Sequence, residues 1–521
     1  MKIYIYIAAL AFTTLFSACD DFLSVESPDQ LTSDKFWRDE ADALSGLSAA
    51  YSQLEYSISS WQMSEVKFPV ESFREDILKV GPDVYNWAYM LEYYNFTFNQ
   101  GSSQISLYWS NNYKGANYAN QVITKVPEVP EGKITEDMRQ QILNEAYFLR
   151  AYYHLKLILN WKEIIISDKY VDASNLNKPL SSREAAWDFI IEDLKRATKL
   201  PSSHPSENAG RATCGAAYAY LGFAYLTRAY EETAKKDEYL REALAAFSEV
   251  KGYELEKKFI SMFDGSNKNC KESVFELQFT MNSDGGAYYK HQVHKFIATY
   301  ELSGWEEMYP SDQLINEFKK EGEIATTGLY DTRMYQTMFF QCDYFNDGTG
   351  KVYGYDYDDV FSGDDGIAYN KPAFRKYLPP TINELLENYT AINLPLMRYA
   401  NVLLMKAEVL NLQGHPEQAI PIINEVRKVH GDMPEMKGTS QENVQAQIEH
   451  ERMIEFPLEA WRFYDLRRWG KLDVALHAAG RTTFSAEKHS FYPIPQSEIK
   501  ANSALSCLLY TSDAADDTPC V

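Results

Sequence analysis

The sequence predicts an all-α fold of paired amphipathic helices, with a loop-rich inserted region that carries the ligand-facing surface. Three observations lead there. Several stretches repeat apolar residues every three or four positions, without the alternation of strands. One stretch is a complete helix–turn–helix unit. Between the helical blocks lie two long segments rich in aromatic residues, Gly and Asp, and long irregular insertions in a compact scaffold are usually functional.

Taken in order, the chain begins with an apolar run at residues 3–16 behind Lys2. At about 14 residues it falls short of the ~20 that a membrane-crossing helix needs, so residues 1–18 read as a secretory signal. It ends in Leu15-Phe16-Ser17-Ala18-Cys19, which places a cysteine where a lipoprotein signal peptidase would cut. Cys19 is therefore the expected lipidation site and first residue of the mature chain, and a multiply acylated terminus is a stable membrane anchor. Asp20-Asp21 follow directly, resembling the acidic export signal of surface-exposed lipoproteins.

Residues 61–113 form the first aromatic segment, with Tyr85, Trp87, Tyr89, Tyr93, Tyr94, Phe96 and Phe98 close together. The spacing of Ala146, Leu149, Tyr153 and Leu157 predicts a helix over 145–161. Ser182 and Glu184 supply an N-cap and an acidic first turn for a helix over 183–198, with Trp187, Ile190, Ile191 and Leu194 on one stripe. Residues 211–230 are rich in Ala and Gly, and Gly215, Ala219 and Gly222 are small enough for a neighbouring helix to approach closely. Residues 238–250 form the returning helix, which stops at Gly252. The second irregular segment, 267–393, is rich in Gly, Asp and Tyr.

The clearest unit is MRYANVLLMKAEVLNLQGHPEQAIPIINEVR at 397–427. Gly414 closes its first helix and Pro416 opens the second. The unit resembles a tetratricopeptide repeat, whose helix pairs stack into a superhelix because one pair cannot bury its own stripe. The helices at 140–160, 183–199, 211–231 and 238–250 are the expected neighbours.

Composition narrows the function. The formal charge of −23 would repel nucleic acid and anionic membranes at long range. Aromatic residues make up 14% of the chain, with 38 Tyr and 9 Trp. Their flat apolar faces and polar edges suit stacking on sugar rings as well as core packing. Residues 507–521, beginning Cys-Leu-Leu-Tyr-Thr-Ser-Asp-Ala-Ala-Asp, read as a translated sequencing adapter. Setting that tail and Cys19 aside leaves Cys214, Cys270 and Cys342, an odd number at wide spacing that implies neither a disulfide framework nor a metal knuckle.

Catalytic and metal motifs are near misses. His450-Glu451 starts an HExxH, but Ile454 stands at its final position. His291 and His294 lack an evident third ligand. Asp343–Gly348 has Phe345 at a calcium-loop ligand position, and no GxSxG elbow occurs. The expectation is a protein with no catalytic residues, cofactor or metal.

The run IEHERMIEFPLEAWRFYDLRRWG at 448–470 resembles the C-terminal signature of the SusD/RagB family. So do Glu145-Ala146-Tyr147-Phe148-Leu149-Arg150-Ala151-Tyr152-Tyr153 near the middle of the N-terminal half and Tyr492-Pro493-Ile494-Pro495 near the end. The resemblance covers the mature chain from Cys19 to about Ile499, within a body at 19–506 that has an N-terminal part at about 19–230 and a C-terminal part at about 260–506. It departs at Asn160-Trp161-Lys162-Glu163, where the family commonly has Gly-Asp-Val-Pro. It implies a SusD-like fold, an outer-membrane lipoprotein facing the cell exterior, and a SusC-like TonB-dependent transporter as partner, to which captured oligosaccharide is delivered. Peptide cargo, as in RagB-like proteins, is the alternative; a surface glycosidase and a scaffold binding only protein rank behind it.

Within the signature, the spacing of Glu451, Glu455 and Glu459 predicts one helix face, with Arg462, Arg467 and Arg468 as bidentate partners. Arg452 and Asp465 complete the charged set, which we read as structural. For ligand binding, composition and position single out Tyr85, Asn86, Trp87 and Tyr89 in the first segment and Trp305 and Tyr344 in the second, with Arg74 and Asp76 as polar partners.

Overall fold

A computed structural model describes residues 36–55, 62–171, 174–281, 289–346 and 350–505. The signal segment, Cys19 and the 507–521 tail lie outside these residues. The all-α expectation holds: helices dominate, and the strands among the described residues form three two-stranded antiparallel sheets.

Helices α1 (Glu40–Ser52), α2 (Ala88–Asn95), α3 (Ser103–Lys125) and α4 (Glu136–Asn160) make up the first part. Helix α4 starts nine residues before its apolar stripe, because Thr135 caps it by accepting from the Met138 N–H, and Glu136 and Asp137 favour its N-terminus. Residues 136–141 are polar apart from Met138 and exposed or half-buried, so periodicity could not reveal them. Then come α5 (Arg183–Ala197), capped by Ser182 as predicted, α6 (Cys214–Glu231) and α7 (Lys236–Ser248).

The remaining helices used below are α8 (Asp312–Lys319), α9 (Thr332–Thr337), α10 (Tyr399–Leu412), α11 (Pro416–Gly431), α12 (Gln441–Glu455) and α13 (Arg462–Arg468). From α3 to α7 each helix packs on the next, α7 packs on α10, and α10, α11 and α12 pack on one another. The predicted stack of helix pairs is thus continuous across the long irregular segment. Close approach depends on missing side chains: a methyl at Gly222 of α6 would enter the Phe247 ring of α7, and one at Gly115 of α3 would enter the Tyr153 ring of α4.

Residues 61–113 are not the irregular insertion that their composition suggests. They hold a helix at Gln62–Lys67, a π-turn at Phe68–Ser72, α2 and the first half of α3. Tyr93, Tyr108 and Trp109 are core residues there, so much of the aromatic excess is packing.

Strand β1 (Leu78–Val80) pairs with β3 (Met308–Pro310), β2 (Ser273–Leu277) with β6 (Leu394–Arg398), and β4 (Met338–Phe339) with β5 (Ala373–Phe374). The first pair sets Leu78 opposite Pro310 and Val80 opposite Met308, bringing the two aromatic segments together.

Candidate functional site

The β1–β3 ladder continues past its strands, with the Gly81 N–H donating to the Glu307 carbonyl at 2.8 Å. A Cβ at Gly81 would coincide with the Glu306 carbonyl oxygen, so glycine is required for this approach. Pro82 then opens a 3₁₀ turn over Pro82–Asn86, which buried Val84 pins to the core. That anchor turns Tyr85, Asn86 and Trp87 outward, with Tyr85 64% and Trp87 39% exposed.

The Asp83 carboxylate accepts from Asn86 Nδ2 and from Trp87 Nε1, both at 3.2 Å, and so holds the Trp87 ring. Trp87 lies edge-on to Tyr89, with centroids 5.8 Å apart, and the Tyr89 hydroxyl donates to Glu65 Oε1 at 2.9 Å. Across the strand pair, Tyr300 is exposed at its ring, and partial desolvation together with the charges of Asp83, Glu306 and Glu307 raises its phenol above the usual range. The neighbouring Glu301 accepts from the Tyr369 hydroxyl at 2.6 Å and from Lys371 Nζ at 2.9 Å. Lys371 also pairs with Glu306 and lies 5.8 Å over the Tyr309 ring.

Exposed Tyr85, Trp87, Tyr300 and Tyr369 thus lie on or beside segments that the β1–β3 pair brings together, near the Asp83, Glu301, Glu306 and Glu307 carboxylates. Glu307 is the most perturbed of these. It is 3% exposed, and its Oε2 has no hydrogen-bond partner. Burial, then the adjacent Asp83 and Glu65 carboxylates, push it up to about 8. The half-buried Asp83 and Glu301 offer acceptors to sugar hydroxyls, while the rings offer flat apolar faces.

The other expected ligand residues lie elsewhere. Trp305 is half-buried in the turn preceding β3, where its N–H donates to the Lys295 carbonyl at 2.6 Å. Tyr344 packs 4.8 Å from Tyr335 and 5.0 Å from Phe345, against Gly350. Arg74 and Asp76 are interior, which corrects their expected role as polar partners of a ligand. The Arg74 guanidinium is sandwiched 4.0 Å from the Phe463 ring and 4.1 Å from the Tyr492 ring, and Nη2 donates to Asn160 Oδ1 at 2.6 Å. Asp76 accepts two hydrogen bonds from Arg462, both at 2.9 Å. Sequence reasoning missed Tyr300, Tyr369, Glu65, Asp83 and Glu307, because only the strand pairing gathers them.

The signature residues form ion pairs, as expected, but with different partners. Glu455 accepts from Arg398 Nη1 at 2.8 Å and Arg333 Nη1 at 2.9 Å, and pairs with His430 Nδ1 at 2.9 Å. Glu451 accepts from Arg333 and Arg427, and Glu459 from Arg398 and Lys376. Glu459 lies beyond the end of α12, in a turn where Leu458 and Ala460 have φ of 66° and 61°. It therefore does not share the helix face of Glu451 and Glu455. Arg462 holds Asp76, Arg452 is bidentate on Asp465, and Arg468 bridges Asp465 and Glu408. Arg467 instead donates to the Leu159 and Ser490 carbonyls.

Two carboxylate–histidine groups, Glu272/His430/Glu455 and Glu321/His450/Glu451, come close enough to hold a metal. Guanidinium groups of Arg398, Arg333 and Arg427 already occupy their carboxylates, which removes the electrostatic need for one. His291 and His294 turn to the Ile392 and Glu387 carbonyls and share no ligand position.

Comparison with known proteins accounts for this architecture. Residues 271–507 match the model described as SusD family, and residues 21–226 match one described as starch-binding associating with outer membrane. The chain belongs to the SusD family. Among SusD-like relatives, SusD-like protein P2 of Formosa agariphila is 26% identical, over 91% of this chain and 93% of its own. A SusD superfamily protein from Bacteroides vulgatus superimposes with a TM-score of 0.77 at 25% identity, covering 90% of this chain and 98% of that one. A laminarin-binding SusD-like protein gives 0.71 at 24% identity, covering 89% and 98%. The buried charge network lies within the stretch matched by the SusD-family model, whereas the aromatic surface takes one side from each matched stretch.

Proposed function

We propose that this protein is a lipid-anchored outer-membrane protein that captures oligosaccharide at the cell exterior and passes it, uncut, to a SusC-like TonB-dependent transporter. The observation that carries this reading is the set of exposed Tyr85, Trp87, Tyr300 and Tyr369 near the Asp83, Glu301, Glu306 and Glu307 carboxylates. The rings stack on the apolar faces of sugar units, and Asn86 with the half-buried Asp83 and Glu301 carboxylates binds their hydroxyls. Each contact is modest and the surface is open, so the affinity is weak and depends on several contacts together.

The laminarin-binding relative supports a β-glucan among the first ligands to try. A non-catalytic role agrees with that relative, which is described as binding laminarin.

Titration calorimetry with laminari-oligosaccharides and a panel of other glycans tests the reading. The double variant Trp87→Ala/Tyr300→Ala should weaken binding at least tenfold with unchanged circular dichroism, since both rings are exposed. Unchanged affinity would remove this surface from the mechanism, and release of reducing ends by the purified protein would overturn the non-catalytic reading. For the anchor, Cys19→Ala should abolish palmitate incorporation and release the protein from the envelope.

A further inference from the structure

A cavity of about 340 Å³, which shares no lining residue with the aromatic surface, lies between the end of α4, the start of α5, α6, α13 and residues 490–491. Four cationic side chains line it: Lys162, Arg183, Arg467 and Arg468. Two of these are neutralised. Arg183 is bidentate on Glu231 at 2.7 and 2.6 Å and also donates to the Ile158 and Trp161 carbonyls. Arg468 is held by Glu408 and Asp465.

The other two cations have no ion-pair partner among the described residues, Glu231 being already bidentate on Arg183. Arg467 spends Nη1 on the carbonyls of Leu159 at 2.6 Å and Ser490 at 3.2 Å, and no carboxylate among the described residues lies within ion-pair distance of it. Burial and the adjacent Arg183 bring its guanidinium down to about 9, against the opposing charge of Glu231, which also lines the cavity. Lys162, at the mouth, is exposed and likewise has no ion-pair partner among the described residues. In a chain of net charge −23, two cations without an ion-pair partner beside one cavity are a local departure. Phe491, 4.4 Å from the Arg467 guanidinium, and Phe223 supply apolar walls.

We propose that this cavity is a binding site for a small organic oxyanion, a carboxylate or a sulfate ester, clamped by the free Nε and Nη2 face of Arg467 and by Lys162, with its carbon skeleton against Phe491 and Phe223. The volume is at the lower end of the range for small-molecule pockets and suits a single ring. A guanidinium fork matches the two oxygens of either anion. The two sources differ in shape but not in the charge that the site reads.

The test is calorimetry on the full mature protein with glucuronate, glucose 6-sulfate and glucose, in a background of sodium chloride. At least one anionic sugar should bind tenfold or more tightly than glucose, and which one does so identifies the source. Binding should fall at least tenfold in both Arg467→Gln and Lys162→Gln. Lys162 has no structural partner to lose, so its variant keeps the test valid if Arg467→Gln fails to fold. Trp87→Ala/Tyr300→Ala should leave anion binding unchanged, which separates this site from the aromatic surface. Equal binding of glucose and both anions, or full affinity in Lys162→Gln, would overturn the proposal.

Discussion

Replacing His430 by Gln gives a direct measure of the charge network that joins β2, α11 and α12. His430 is fully buried between Glu455 Oε1 at 2.9 Å and Glu272 Oε2 at 3.0 Å. Burial alone would lower its proton affinity, but the two carboxylates outweigh it and raise the imidazole from 6.5 to about 9. The other charges packed against this pair are Arg398, on both Glu272 and Glu455, and Arg333, on Glu455. Because the folded-state value lies above the unfolded one, the stabilisation is complete below pH 6.5 and disappears as pH rises through 9. At about 1.4 kcal/mol per tenfold change in proton affinity, it amounts to roughly 3 kcal/mol.

Lys376, buried beside Glu459, works in the opposite sense. Burial lowers it from 10.5 to about 8, so stability recovers between those values as the unfolded chain loses its proton. The comparison of wild type with His430→Gln at each pH cancels that contribution. Urea denaturation at pH 6 and pH 10 should show the stability gap between the two proteins narrowing by about 3 kcal/mol. A gap independent of pH would mean that His430 is neutral in the fold, and the reasoning would fail.

Three further outcomes follow from the same structure. Arg74→Met should destabilise the fold by about 1–2 kcal/mol in urea denaturation, because it removes the guanidinium stacked between the Phe463 and Tyr492 rings and one of the two donors to Asn160 Oδ1, which keeps the Tyr464 hydroxyl; loss of glycan binding at full stability would instead restore Arg74 as a ligand residue. Gly81→Ala should drive the β1–β3 pair apart through the clash with the Glu306 carbonyl, lowering glycan affinity and speeding amide exchange at Gly81. Glu321, lifted by burial but held down to about 2 by hydrogen bonds and charge from Arg427 and Gln447, stabilises the fold above pH 4.5 and ceases to do so as pH falls through 2; Glu321→Gln should therefore cost stability at pH 6 but little near pH 2, measured by thermal unfolding.

Local order was readable from the chain because its causes are local. The α5 cap at Ser182, the Gly414–Pro416 break between α10 and α11, and the close approach at Gly222 each depend on residues within a few positions or on a missing Cβ. The motif at 448–470 likewise announced its family. Its ion pairs were foreseen as a kind of interaction but not as particular partners: Arg398 meets Glu272 across 126 residues, and Arg333 meets Glu455 across 122. Charge pattern along a helix shows which side chains need partners, not which distant strand or helix brings them.

Aromatic content behaved the same way. Tyr85 and Tyr93 are alike in composition, yet Tyr85 is exposed and Tyr93 is in the core, since the turn anchored by Val84 points one outward and the stripe of α2 points the other inward. The chain by itself determined an all-helical body with stacked helix pairs, because helical periodicity and capping are written within single turns. Only the tertiary structure decided which rings form a surface and which cations lack a counter-charge, because both depend on segments more than two hundred residues apart meeting at β1 and β3 or around α13.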